Sequence, residues 1–163
     1  MMRNNALLFI FIAVVFIIGI LMFRIFPELR DREYRIMNDP SAYQQAQLRV
    51  GLAQFFVEIA DTPEKQTLGL SGSEALGAGR GMLFVFSRSA MHGFWMKDMK
   101  FPIDIIWINN GKVIGFAERA QPDDRSDREV YYPPSPIDMV LEIGAGEVAR
   151  QGIRVGDVVR LEK

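Results

Sequence analysis

The sequence predicts a mainly β domain with short helices, a small antiparallel sheet curled into a closed or half-closed barrel, behind one N-terminal transmembrane helix. Three observations carry this expectation. From Leu52 onward, short runs rich in β-branched and aromatic residues recur between Gly, Pro and Asn turn signals. Asn109-Asn110-Gly111 separates two of these runs, and Asn and Gly accept the positive φ values that a tight hairpin turn demands. Residues 6–23 form eighteen consecutive positions without a charge.

Eighteen helical residues at about 1.5 Å each span roughly 27 Å, close to the ~30 Å of bilayer hydrocarbon. A cleaved signal peptide would show a shorter apolar stretch, about 7–15 residues, and a small-x-small site. Met22-Phe23-Arg24-Ile25-Phe26 follows instead, so residues 6–23 read as an uncleaved anchor after a short tail, residues 1–5. No face of the segment is polar, which argues against a buried core helix. Arg24, Arg30, Arg32 and Arg35 follow the helix, against Arg3 before it, and by count they hold the C-terminal side in the cytoplasm. Glu28, Asp31 and Glu33 interleave with them, the tail is short, and a large domain translocates with little regard to charge. The adopted reading is a single-pass protein of the cytoplasmic membrane with its domain extracytoplasmic.

The remaining elements follow in order. Residues 24–49, with Pro27 and Asn38-Asp39-Pro40-Ser41, read as a polar spacer, leaving residues 50–163 as the domain. Ala53 to Ala60 is a strand; Thr62-Pro63 opens a short helix that ends at Gly69. Gly81 to Phe86 is a strand apolar enough to be buried on both faces, and His92 to Met99 alternates as another. Ile103 to Ile108 and Lys112 to Ala117 flank the hairpin turn. Pro122 to Pro136 is the longest irregular stretch, a usual seat of function. Ile137 to Ile143 is a strand, Glu147 to Gln151 a helix closed by Gly152, and Val155 to Leu161 the last strand.

Composition removes several function classes. Residues 50–163 carry thirteen basic against sixteen acidic residues, a formal −3, which disfavours nucleic acid as a partner. With no Cys and a single His, thiolate nucleophiles, Cys-ligated metals and multi-imidazole sites are all excluded. Neither a metal nor a cofactor is expected. The acidic run Asp123, Asp124, Asp127 and Glu129 lacks the ligand alternation of a calcium loop, and its Arg125 and Arg128 suggest solvated ion pairs. Gly144-Ala145-Gly146 is only a weak phosphate-turn signal, because no Gly-Lys-Ser/Thr follows.

The densest chemistry lies between Phe94 and Ile105. As an extended strand this stretch puts Trp95 and Lys97 on one side and His92, Phe94, Met96 and Asp98 on the other. Asp104 falls on the side of Ile106 and Ile108, and a carboxylate entering that apolar surface needs Lys97, Lys100 or backbone N–H groups as partners. It reads first as a structural pin; as an acid–base pair with Asp98 it would serve catalysis. Trp95 is either core filler or an exposed stacking platform, and Tyr131 and Tyr132 beside Pro133-Pro134 either pack as a loop or add aromatic faces to a groove. His92 near Ser87 and Ser89 lacks a nucleophile elbow and reads as a surface histidine.

In combination these residues cease to be generic. Gly81-Met82-Leu83-Phe84-Val85-Phe86, Phe94-Trp95-Met96-Lys97-Asp98, Pro102-Ile103-Asp104-Ile105, Tyr132-Pro133-Pro134-Ser135, Val140-Leu141-Glu142 and Gly152-Ile153-Arg154-Val155-Gly156-Asp157 resemble, in order and spacing, the domain-of-unknown-function 192 (DUF192) family. The likeness runs from about residue 54 to 161. It implies a small β-rich domain, commonly exported or membrane-tethered, with no established activity and no catalytic residue to carry over. The family pattern has Asn-Thr where Asp98-Met99 stand, and arginines where Gln66 and Ser73 stand. The adopted reading is an anchored module that binds a small polar ligand, a glycan or an envelope protein through Trp95, Lys97, Asp98, Asp104, Tyr131 and Tyr132. A hydrolase or lyase using Asp98, Asp104 and Lys97 is one rival; a structural partner domain in a membrane complex is another.

Overall fold

The computed structural model describes residues 42–123 and 129–162 together with Ile12. The chain divides into two units, Met1–Ala42 and Tyr43–Lys163, and the elements below belong to the second. Period-2 alternation sets its first hairpin. In β1 (Gln44–Val50) Ala46, Leu48 and Val50 turn inward between Gln45, Gln47 and Arg49, and in β2 (Ala53–Ala60) Ala53, Phe55 and Val57 do the same. The two strands pair antiparallel from Gln44 with Ile59 to Val50 with Ala53. A short helix, α1 (Pro63–Leu68), follows; Thr62 Oγ1 accepts the Lys65 N–H and Gly69 closes the last turn at φ 52°.

That helix lies on the crossover to β3 (Arg80–Ala90), which pairs parallel with β2. β4 (Phe94–Trp95) is a two-residue strand. β5 (Ile103–Asn109) and β6 (Lys112–Ala120) make a hairpin whose turn residues Asn110 and Gly111 sit at φ 48° and 66°, the conformation a primed turn requires. β7 (Val130–Tyr131) pairs with β4; β8 (Ile137–Gly144) runs between β3 and β5; α2 (Glu147–Gln151) and β9 (Val159–Glu162) complete the chain. The main sheet has the order β6-β5-β8-β3-β2-β1-β9.

Its central strands β3, β8 and β5 are covered on both sides, which is why they read as continuous apolar runs. One face gathers Leu48, Phe55, Leu83, Ile106 and Leu141 with Val148 of α2. The other gathers Met82, Phe84, Ile105, Trp107 and Val140 with Leu70 and Met96.

Several expectations are corrected. The sheet is open, not a closed barrel: β9 is four residues long and spends its ladder on β1, and the C-terminal segment meets the start of β6 only through the isolated bridge between Lys112 and Val158 and a few backbone hydrogen bonds between residues 156–159 and Gly111 and Val113. The folded unit begins before residue 50, because the supposed spacer contains β1, whose Leu48 is buried. The strand expected over His92 to Met99 shrinks to Phe94–Trp95, since Asp98 at φ 57° turns the chain; Met96 is buried while Trp95, Lys97 and Asp98 are exposed. The last strand starts at Val159 rather than Val155 because Gly156 and Asp157 form the preceding turn. The expected anchor, apart from Ile12, lies outside the described residues, as do residues 124–128; among the described residues no helix is long and apolar enough to cross a membrane.

Candidate functional site

A cavity of about 300 Å³ opens between α1, the second half of β3, β4 and β8. Aromatic rings build its walls. Phe84 and Phe94 meet edge to face with centroids 5.3 Å apart, and Phe86 stacks on His92 at 3.7 Å. Trp95 stands half-exposed at 54% beside the opening. Gly93 permits a close approach here: a Cβ would lie 2.8 Å from both the Tyr132 ring and Val130.

The buried polar end of this cavity is Glu142. Its place on β8, opposite Met82 of β3 and Ile105 of β5, is fixed by strand register, and only 6% of the residue is exposed. Loss of water pushes its carboxyl up from 4.5 to about 8, and no hydrogen bond or cation among the described residues offsets it. His92 Nε2 is likewise buried and without a hydrogen-bond partner. The amide and hydroxyl donors of the wall are already used: Gln66 Nε2 donates to the carbonyls of Ala60 (3.3 Å) and Val85 (2.8 Å), Thr67 to Pro63, and Ser71 to Lys97. Among the described residues no group of three or more potential metal ligands gathers.

Trp95, Tyr131 and Tyr132 come together around β4 and β7. Tyr131 pairs with Phe94 and donates its hydroxyl to Glu129 Oε2 at 2.9 Å; burial, then Glu129, raises its pKa. Trp95 also lines a shallower groove with Leu68, Lys97 and Asp98, where Lys97 Nζ lies 3.8 Å from Asp98 Oδ2. Asp104 lines neither cavity. It is fully buried, and its carboxylate accepts backbone N–H groups from Arg119 (2.8 Å), Gly146 (3.0 Å) and Val148 (2.9 Å). Asp104 is therefore a structural pin that caps α2, and the Gly146 N–H of the weak phosphate-turn signal is consumed by it. His92, expected at the surface, is held against Phe86, and no serine hydroxyl reaches its Nε2. Glu142 was missed by the sequence reading, although an acid inside Val140-Leu141-Glu142-Ile143 is the same signal that singled out Asp104.

Fold and cavity together define a small, mainly β domain with one aromatic-walled, acid-ended pocket. The chain belongs to the DUF192 family (Uncharacterized ACR), whose pattern it matches over residues 46–161. No curated protein matches it. Two solved structures are similar, each with a TM-score of 0.68. One is a candidate transcription regulator of Sinorhizobium meliloti, 28% identical, the match covering 74% of this chain and 95% of that one. The other is a protein of unknown function from Novosphingobium aromaticivorans, 32% identical, with 74% and 88% covered. At the positions where the family pattern has arginine, Gln66 ties the end of β2 to β3, and Ser73 lines a separate groove with Arg80.

Proposed function

We propose that this domain is a ligand-binding module, carried on the outer face of the cytoplasmic membrane by residues 6–23, that takes a small molecule with an apolar body and one polar group into the aromatic cavity. The observation that supports it is Glu142: a carboxyl largely shielded from water at the end of an apolar cavity, with no partner among the described residues. A core position that served packing alone would be cheaper as an apolar residue. Trp95 and Tyr132 at the rim favour a ligand with a flat or ring-shaped body, a sugar included. The hydrolase or lyase alternative loses support, because Asp104 has both oxygens engaged and does not share a cavity with Asp98. A nucleic-acid-binding role, which the name of the Sinorhizobium protein suggests, draws no support from a folded unit, residues 43–163, of formal charge −2.

The test is a small-molecule screen by thermal shift on the full chain in mild detergent, repeated on Ser71→Trp, which fills the cavity from α1's side. Compounds that raise the wild-type transition and fail on Ser71→Trp are the expected result. A screen without hits, or hits indifferent to the filling substitution, overturns the reading. Orientation is checked separately: external protease on intact spheroplasts should digest residues 43–162, and digestion only after lysis would place the domain inside.

A further inference from the structure

Resting on that ligand-binding reading, we infer that the cavity is built for a protonated amine: a small ligand with an aromatic or alicyclic body whose ammonium group is held by Glu142. The cavity wall offers little that would bind an anion or an acceptor-rich ligand. Its side-chain amide and hydroxyl donors, on Gln66, Thr67 and Ser71, are spent on backbone carbonyls, while no hydrogen bond or ion pair from the described residues engages the Glu142 carboxyl at the cavity's end. An ionised Glu142 only accepts, and an ammonium group is its match, with a full charge, three donors and no acceptor. Among the described residues no lysine or arginine lines the cavity, so a ligand anion would find no counter-ion.

Aromatic faces complete the match. Phe84, Phe86, Phe94 and Trp95 present rings to a cavity large enough for a one-ring amine, and a cation over such faces gains by cation–π attraction, more so where water is excluded. The ammonium also removes the reason Glu142 resists ionisation, because it supplies the missing partner. Beside Glu142 the flanking strands present Met82 and Ile105, while α1 presents Gln66 and Leu68 and β3 presents Phe84 and Phe86; among the described residues His92 is the one other titratable side chain on the wall. Binding therefore carries a proton signature: near neutral pH the carboxyl gives up its proton as the ammonium enters, and that proton leaves to solvent.

Calorimetric titration of the full chain with phenethylamine and cyclohexylamine, against neutral phenethyl alcohol and anionic phenylacetate, tests this. Amines should bind more tightly than the alcohol, and Glu142→Gln should weaken them roughly 10- to 100-fold while leaving the alcohol nearly unchanged. Repeating the titration in buffers of different ionisation enthalpy should reveal release of close to one proton per amine at pH 7, about half a proton at pH 8, and none at either pH in Glu142→Gln. His92→Asn should keep the proton release. Equal binding of amine and alcohol, insensitive to Glu142→Gln, would leave the ligand-binding reading standing and overturn the ammonium assignment. Tighter binding of phenylacetate, or no amine binding at millimolar concentration, overturns it as well, whatever the broader screen finds.

Discussion

Asp104 and Val148 lie 44 positions apart, yet the Val148 N–H donates to the Asp104 carboxylate at 2.9 Å. Helix α2 opens at Gly146 without a side-chain cap of its own, so a strand residue from another hairpin supplies it. The same carboxylate takes the N–H of Arg119, whose φ of 55° marks the bulge in β6. One buried acid thus ties β5, β6 and α2.

Asp104→Ala should therefore cost about 2–4 kcal/mol, because buried N–H groups lose their acceptor. Asp104→Asn keeps one acceptor oxygen and should lose less. Urea denaturation measures both. A loss below about 0.5 kcal/mol for the alanine variant, the scatter of surface substitutions, would remove the pin.

Glu142 predicts the direction of the pH dependence. Its carboxyl ionises near 8 in the folded chain against 4.5 unfolded, so between these values the folded state holds more protons and stability falls as pH rises. Below 4.5 both states are protonated and no penalty remains; above 8 it is complete, at an order of magnitude of about 5 kcal/mol. Glu142→Gln should flatten the pH profile of the urea midpoint and be the more stable protein at pH 8.5. Parallel profiles for the two proteins would contradict the burial of an ionisable acid.

The two tryptophans should separate in fluorescence. Trp95 is 54% exposed and Trp107 5%, so acrylamide should quench one component that Trp95→Phe removes, with the thermal transition held within a few degrees. Trp107→Phe should leave a void and cost on the order of 1–3 kcal/mol, softened because its buried indole N–H has no partner to lose. A single unquenchable population would put Trp95 in the core.

Truncation tests the boundary. A chain beginning at residue 43 retains β1 and should unfold cooperatively; one beginning at residue 50 loses Leu48 from the core and leaves the edges of both β2 and β9 unpaired. Aggregation or loss of the thermal transition is expected for the shorter chain alone. Equal behaviour of the two would mean that β1 is dispensable.

Local chemistry was legible from residues a few positions apart. Asn110-Gly111 announced its hairpin, Thr62-Pro63 and Gly69 bounded α1, and Gly81 to Phe86 carried the unbroken apolar run of a strand covered on both faces. β1 could have been read the same way, since Ala46, Leu48 and Val50 alternate with polar residues; the turn-rich chain before it hid the pattern.

The sequence by itself determined the mainly β class, the family, most strand positions and the burial of Asp104, because each follows from side-chain period, turn residues or an acid set in an apolar run. Tertiary structure alone decided the rest. Whether the sheet closes depends on β9 reaching β6, which is a matter of strand length and register across the whole sheet. Which acid is a pin and which ends a cavity depends on what covers it: three backbone N–H groups arrive at Asp104 from β6 and from the start of α2, while Glu142 meets aromatic rings and empty space. Those partners are tens of residues distant, and the free energy of a buried charge is set by its neighbours in space, not in sequence.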